Sequence, residues 1–287
     1  LPHSVTPGIL ETFTTKKHLR EYLLQIRAAH KTVGFVATMG ALHRGHLSLI
    51  KQAQQTCDVV VCSIFVNPSQ FNDPKDLEKY PRPLAADTQM LEAVNCDILF
   101  NPQVSEIYDD NAEWHLDIGG LEHLLEGKFR PGHYQGVTQV VFKLFNIVEP
   151  DTAFFGQKDY QQYLIISKMV NMLSIPVKMV MCDIEREPDG LAMSSRNVHL
   201  TTGDRQHALI LSKTLDWVKA HFDSNNISQL KKEAELMLRN ETGVEPEYFE
   251  IADGDTLLPV DKNASNIIAL VAAWAGKTRL IDNVVLK

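Results

Sequence analysis

Val33-Gly34-Phe35-Val36-Ala37 leads through Thr38-Met39-Gly40-Ala41-Leu42 into His43-Arg44-Gly45-His46. The first five positions read as a buried strand, the middle ones as a glycine-bearing turn, and the last as the start of a helix that continues to about residue 55. A strand that turns through glycine into a helix aims backbone N–H groups and the positive end of the helix at one point. That point suits a phosphate. The same strand–turn–helix unit recurs on both sides of it. A helix is predicted around Leu19, Tyr22, Leu23 and Ile26, and further helices over 84–94, 137–148 and 160–173. Strands are predicted over 58–66, 97–100, 152–155 and 177–181. Nearly all-apolar strands alternating with helices imply an α/β fold, a Rossmann-like parallel sheet covered on both faces. In such sheets ligands gather beyond the carboxyl ends of the strands.

The pattern changes near residue 185. Glu185 to Arg196 is polar and loop-like, with Pro188, Asp189 and Gly190 as turn residues. Two helices follow, roughly 204–222 and 227–239, and then three antiparallel strands, 248–252, 266–275 and 278–285. The Gly276-Lys277 pair fits the tight hairpin between the last two. The expected organisation is therefore a Rossmann-like domain over residues 1–184 and a smaller C-terminal α+β domain over 185–287.

The 287 residues carry 44% hydrophobic and 22% charged side chains and a formal net charge of −8. That composition supports a sizeable core and argues against a broad nucleic-acid surface, which needs clustered Lys and Arg. No apolar run approaches bilayer length, so no membrane partner is expected. The N-terminus lacks the pattern of a secretory signal. Cys57, Cys62, Cys96 and Cys182 form no CxxC pair and read as reduced thiols. A cytoplasmic location is the expectation.

Two segments carry chemistry. His43 and His46 lie three apart around Gly45, whose missing side chain lets a nucleotide approach the backbone. Each imidazole can donate a hydrogen bond to phosphate oxygen. Two histidines alone are more often incidental at a helix start; the preceding strand and glycine turn favour the phosphate role. Zinc is the third option, but no Cys or Glu at helical spacing completes a site. The second segment, Asp189-Gly190-Leu191-Ala192-Met193-Ser194-Ser195-Arg196, puts two hydroxyls beside a guanidinium, whose fork matches phosphate oxygens. By itself it would pass for a solvated loop.

Taken together, the HxGH turn and the Met-Ser-Ser-Arg loop resemble the nucleotidylyltransferase superfamily. Four further stretches narrow the likeness: Phe65-Val66-Asn67-Pro68-Ser69-Gln70-Phe71, Tyr80-Pro81-Arg82, Arg130 to Val137, and Phe154 to Gln162. In this order they resemble the motifs of the pantothenate synthetase family. The resemblance implies an ATP-dependent ligase joining pantoate to β-alanine through an acyl adenylate, with ATP as substrate, Mg²⁺ as metal and a homodimeric assembly. It implies that Met39, Gly40, Ala41, Leu42, His43, Arg44, Gly45 and His46 bind ATP, with His46 as catalytic proton donor and His43 beside it on the phosphates. Gly156, Gln157, Lys158 and Asp159 match the nucleotide loop, Lys158 reaching the α-phosphate. Glu185 lies where the backbone reads adenine, and Met193, Ser194, Ser195 and Arg196 close over the triphosphate. His43, His46, Lys158 and Arg196 form the implied catalytic set. Gln70 and Gln162 would bracket pantoate, with Gln70 also meeting β-alanine and Asn67 lining the same pocket. Asp87 falls where the family has an acid associated with Mg²⁺.

Neutral amides make chemical sense around pantoate, because they hold its hydroxyls and carboxylate without an ion pair that would blunt the nucleophile. The chain departs from the family pattern at Ala37, where Pro is usual, and at Gln157, where Glu is usual. Tyr134 stands for the more frequent Phe. Other enzymes of the superfamily that transfer the nucleotide itself are the nearest alternative, and the paired glutamines argue against them. A tRNA synthetase would need room for an anticodon domain. A nucleotide sensor without catalysis would not need donors spread over the reacting phosphates.

Overall fold

The computed structural model describes residues 8–108 and 113–287. In chain order the elements are β1 (Glu11–Phe13), α1 (Lys16–Ala28), β2 (Val33–Thr38), α2 (Arg44–Gln54), β3 (Val59–Ile64), α3 (Pro74–Lys79), α4 (Leu84–Ala93), β4 (Ile98–Phe100), α5 (Val104–Ile107), α6 (Leu125–Phe129), α7 (His133–Val148), β5 (Thr152–Gly156), α8 (Tyr160–Met172), β6 (Lys178–Cys182), α9 (Thr202–Ala208), α10 (Ile210–Ala220), α11 (Ile227–Asn240), β7 (Val244–Asp253), β8 (Ile267–Ala275) and β9 (Thr278–Val285). Short 3-10 turns lie at Pro68–Gln70, Gln157–Asp159 and Ser195–His199, among other places. The fold is α/β, with a second sheet that is antiparallel.

The first sheet is parallel throughout, in the order β1-β4-β3-β2-β5-β6. β2 is central: β3 follows it on one side and β5 joins it on the other, so the strand order reverses between β2 and β5. That reversal opens a crevice at the carboxyl ends of the two strands, where Thr38 and Gly156 stand. Residues alternate between the faces with the two-residue strand period. Val36, Val60, Cys62, Leu99 and Phe154 pack on one face with Leu49, Ile50 and Ala53 of α2 and Leu91 of α4. On the other face Phe35 and Phe155 each meet Phe145 of α7 edge-on. β1 escapes the sequence reading because three residues are too few to display a period. It is held by register pairing with β4.

The second sheet runs β7-β8-β9, antiparallel, with a register shift between Pro246 and Tyr248. Phe249, Ile251, Ile267, Ala269, Val271 and Ala273 form its buried face, together with Leu211, Leu215 and Val218 of α10 and Leu230, Ala234 and Leu238 of α11. Gly276 makes the β8–β9 turn at φ +57°. The helix expected over 204–222 is interrupted at Leu209, which joins α9 to α10.

By packing, the chain divides into two compact units. One comprises residues up to Gly156 together with Gln162–Cys182; the other comprises Gln157–Gln161 and Asp183–Lys287. The short segment Gln157–Gln161 joins the second unit for a visible reason. The Asn283 side chain on β9 donates to the carbonyls of Gln157 and Lys158, at 2.9 and 3.0 Å. The Tyr160 hydroxyl donates to the Gly254 carbonyl at 2.9 Å.

Candidate active site

The turn after β2 is where the sequence pointed. Gly40 and Ala41 both take left-handed backbone, at φ +81° and +49°. Gly40 does so without steric cost, but an alanine there costs about 1–2 kcal/mol. Space is also tight at Gly40: a Cβ would stand 3.0 Å from both an Asp87 carboxylate oxygen and Ile64 Cγ2, and each would have to give by a few tenths of an ångström. The turn is held open by side chains. Gly40 N–H donates to Thr38 Oγ1 at 3.2 Å, and that hydroxyl donates to the Ser63 carbonyl. Asp87, buried on α4, accepts the Ala41 amide with one oxygen at 2.8 Å and the Leu42 amide with the other at 2.7 Å. Burial pushes the Asp87 carboxyl above the usual carboxylate range, against the opposing pull of the Leu42 and Ala41 amides.

The two histidines begin α2. His43 is its N-cap, and His43 and His46 form a reciprocal capping pair. Gly45 N–H donates to His43 Nδ1 at 3.1 Å, and His43 N–H donates to His46 Nδ1 at 3.3 Å. A backbone amide can only donate, so each neutral imidazole is fixed with its proton on Nε2. The rings lie 4.1 Å apart, centroid to centroid. The helix cap thus turns both histidines into Nε2–H donors beside the helix N-terminus. Arg44 is exposed; Met39 and Gly45 are half-buried.

Asn67 and Gln70 follow β3 and are almost wholly buried, at 1% and 8% exposure. Gln162 lies half-buried in the first turn of α8. Gly156 closes β5 at the strand-order reversal.

In the second unit the Gln157–Asp159 turn is bound to β9. Besides the two carbonyl contacts of Asn283, the Gln157 side-chain amide donates to Asn283 Oδ1 at 3.1 Å. Gln157 is thereby committed to Asn283, which explains how the turn accommodates an amide at this position. Lys158 is half-buried, its ammonium 3.8 Å from Asp159. Glu185 accepts the Met193 amide through its main-chain carbonyl at 2.9 Å, and Arg186 bridges to Ala192, so residues 185–193 close into a small hairpin. Arg186 anchors that hairpin to β9 by a two-pronged contact with buried Asp282, at 2.7 and 3.0 Å. Beyond the hairpin, the Ser194 hydroxyl caps the Ser195–His199 turn by accepting the Arg196 amide; Ser195 is half-buried and Arg196 is exposed.

Within the first unit Gly40 is tied to Thr38, Ala41 and Leu42 to Asp87, and His43 to His46 in the cap that follows. Gln157–Asp159 and the 185–193 hairpin are both fastened to β9 in the second. Asp87 has a task in the turn that the resemblance does not mention: each of its oxygens accepts one turn amide, and the residue is 2% exposed. Among the described residues no group of three or more His, Cys, Asp or Glu could hold a metal ion. The sequence reading missed Arg186, Asp282 and Asn283, because their partners lie about a hundred residues away in the chain and leave no local pattern. It noted the stretch around His133 and Gly136 only as a motif.

A family model described as pantoate-beta-alanine ligase matches residues 11–285. A pantothenate synthetase of Thermotoga neapolitana is 47% identical over 280 residues, covering 97% of this chain and 99% of that one. One from Porphyromonas gingivalis is 43% identical over 277 residues, covering 96% and 99%. The crystal structure of pantothenate synthetase from Thermus thermophilus superposes with a TM-score of 0.87 at 39% identity, covering 96% of this chain and 98% of that one. The Francisella tularensis pantoate-beta-alanine ligase, solved with β,γ-ATP and β-alanine, gives 0.78 at 35% identity, covering 97% and 98%. With a match over nearly its whole length, the chain belongs to the pantoate–β-alanine ligase family.

Proposed function

We infer that this chain is an enzyme that condenses pantoate with β-alanine at the expense of ATP, forming the amide bond of pantothenate. Family membership gives the reaction, and one observation carries the chemistry: both imidazoles of the HxGH turn are fixed as Nε2–H donors at a helix N-terminus beyond the carboxyl end of the central strand. Such a point favours the charge that builds on a polyphosphate.

The reaction proceeds in two steps. A pantoate carboxylate oxygen attacks the α-phosphorus of ATP, and the bond from that phosphorus to the bridging oxygen breaks, releasing pyrophosphate. The β-alanine amine then attacks the acyl carbon of pantoyl adenylate. The acyl C–O bond breaks, AMP leaves, and the nitrogen gives up its proton. His46 Nε2–H serves the departing pyrophosphate oxygen and His43 Nε2–H the phosphates beside it. Lys158 and Arg196 supply cationic donors to the same polyphosphate. Gly156, Asp159, Glu185, Met193, Ser194 and Ser195 complete the nucleotide contacts, with the main chain of Met39–Gly45. Gln70 and Gln162 hold pantoate, with Asn67 behind Gln70. Magnesium enters with its substrate, as the counter-ion of the ATP phosphates, which is the usual way this ion is held. Among the described residues no helix is long and apolar enough to cross a membrane. A cytoplasmic homodimer is the assembly that the family likeness supports, and sedimentation of the purified chain tests it.

Exchange of labelled pyrophosphate into ATP tests the adenylate. It is expected with pantoate and Mg²⁺ present and β-alanine absent, and it should be lost in Lys158→Ala and Arg196→Ala. ADP and phosphate as products would mean an acyl-phosphate route instead. Exchange that strictly needs β-alanine would remove the free-standing adenylate step.

A further inference from the structure

Gln70 is held by its surroundings more tightly than a substrate ligand needs to be. Its main-chain carbonyl meets His133 Nδ1 at 2.9 Å, and a carbonyl can only accept, so His133 donates there. Its side-chain oxygen, Oε1, accepts from Asn67 Nδ2 at 3.0 Å. The orientation of the Asn67 amide is not arbitrary, because two backbone groups of fixed polarity decide it. The Ser69 N–H points at Asn67 Oδ1 (3.4 Å), and Asn67 Nδ2 points at the Gly136 carbonyl (3.2 Å). The Tyr108 hydroxyl adds a short bond to Asn67 Oδ1, at 2.7 Å, and Ser69 Oγ lies 3.1 Å from the same oxygen. An amide has two N–H donors and an oxygen with two acceptor sites. Both donors of Asn67 are directed into the protein, and its oxygen is surrounded by protein donors.

With Oε1 taken by Asn67, the Gln70 amide presents its Nε2–H₂ group outward, and that nitrogen has no partner among the described residues. We propose that Tyr108 and Asn67 are positioning residues that lock the Gln70 amide, so that Gln70 meets pantoate only as a hydrogen-bond donor, to a carboxylate or hydroxyl oxygen. Asn67 then acts through Gln70 and not on the substrate itself. Gly136 belongs to the same device: a Cβ there would stand 2.2 Å from the Ser69 carbonyl oxygen and 2.8 Å from Gln70 Cα. Only glycine lets α7 come close enough to offer its carbonyl to Asn67. The inference rests on Gln70 being a pantoate residue.

Asn67→Asp keeps the size of the side chain but removes its N–H₂ donors. The Gln70 amide then turns its own N–H₂ toward the new carboxylate and shows its oxygen to pantoate. Calorimetric titration of pantoate, with a non-hydrolysable ATP analogue present, should find binding weakened about tenfold or more. Tyr108→Phe, which leaves the two backbone contacts in place, should weaken pantoate by a smaller factor and leave affinity for the ATP analogue unchanged. The deciding measurement is a double-mutant cycle with Gln70→Ala. Once Gln70 is gone, Asn67→Asp and Tyr108→Phe should change pantoate affinity less than about twofold, because the group they orient is absent. Equal factors in both backgrounds would mean that Asn67 touches pantoate directly, and would overturn the relay. Unchanged pantoate affinity in Gln70→Ala alone would instead remove Gln70 from the pantoate site, and the relay with it. If Asn67→Asp does not melt cooperatively, the Tyr108→Phe cycle alone decides.

Discussion

Asp87 accepts the Leu42 amide at 2.7 Å, across a sequence separation of 45 residues, while its second oxygen takes the Ala41 amide. The carboxylate clamps the one place among the described residues where two successive residues are left-handed and one of them is not glycine. The turn leads directly into His43, so the clamp sets where α2 and its two imidazoles begin.

Replacing Asp87 by alanine leaves both turn amides without their acceptor, and we expect the fold to lose about 2 kcal/mol or more. Pyrophosphate exchange should fall with it, while the Mg²⁺ concentration that half-saturates the residual activity stays unchanged. Denaturant unfolding and a metal titration are the measurements. Unaltered stability together with a raised metal requirement would assign Asp87 to the metal and not to the turn.

His46 has two tasks that a substitution can separate. Its Nδ1 caps the helix, and its Nε2–H is the proposed donor. Glutamine at the third helical position makes the same reciprocal cap through its side-chain oxygen. His46→Gln is therefore expected to unfold at nearly the native midpoint, yet to form adenylate on the order of 10²-fold more slowly, a loss within the range for an acid–base group. A large stability loss in His46→Gln, or turnover near that of the unaltered enzyme, would contradict this division.

Gly136→Ala forces a methyl group to within 2.2 Å of the Ser69 carbonyl oxygen, and backbone is not a flexible neighbour. The expected cost is about 1–3 kcal/mol or more from overpacking. Because the strain is delivered to the Pro68–Gln70 turn, the KM for pantoate should rise more than the KM for ATP. Steady-state kinetics with each substrate varied in turn will tell; an equal rise in both would place the damage elsewhere.

Asp282 is 3% exposed and is gripped by both terminal guanidinium nitrogens of Arg186. Removing one partner of a buried pair costs about 3–5 kcal/mol, and the partial exposure of Arg186 argues for the lower end. Asp282→Ala should lower the unfolding midpoint accordingly and release the 185–193 hairpin, seen as faster amide exchange at Met193. The double variant Arg186→Met/Asp282→Leu should recover much of the stability, since no uncompensated charge remains. Failure of the double variant to recover any of it would mean that the pair contributes more than charge compensation.

The periodic part of this protein was open to reading in one dimension. The apolar runs at Val33–Ala37 and residues 58–66, the turn at Gly276, and the helical spacing of Leu19, Leu23 and Ile26 put the parallel sheet and the antiparallel one nearly where they stand. The short helices α3, α5 and α6 fell outside it, as did β1 and the break between α9 and α10. β1 is too short to show a period, and the break at Leu209 has no proline or glycine to announce it. The turn proposed to hold phosphate was also legible, because such a unit is local: strand, glycine, cap and helix follow one another within fourteen residues of the chain.

Features built from neighbours in the chain were thus settled by residue order, since backbone propensity, side-chain period and helix capping act over only a few residues. The polarity and anchoring of the site came from folding in three dimensions. The hold of Asp87 on the Ala41 and Leu42 amides, 46 and 45 residues away in the chain, has no local pattern. Gln157 reads as a departure until Asn283, 126 residues away, is found holding its side chain and its carbonyl. Tyr108 carries no motif at all; its hydroxyl matters because folding sets it 2.7 Å from Asn67. A hydrogen bond depends on distance and direction in space, and neither is written in the order of the residues that make it.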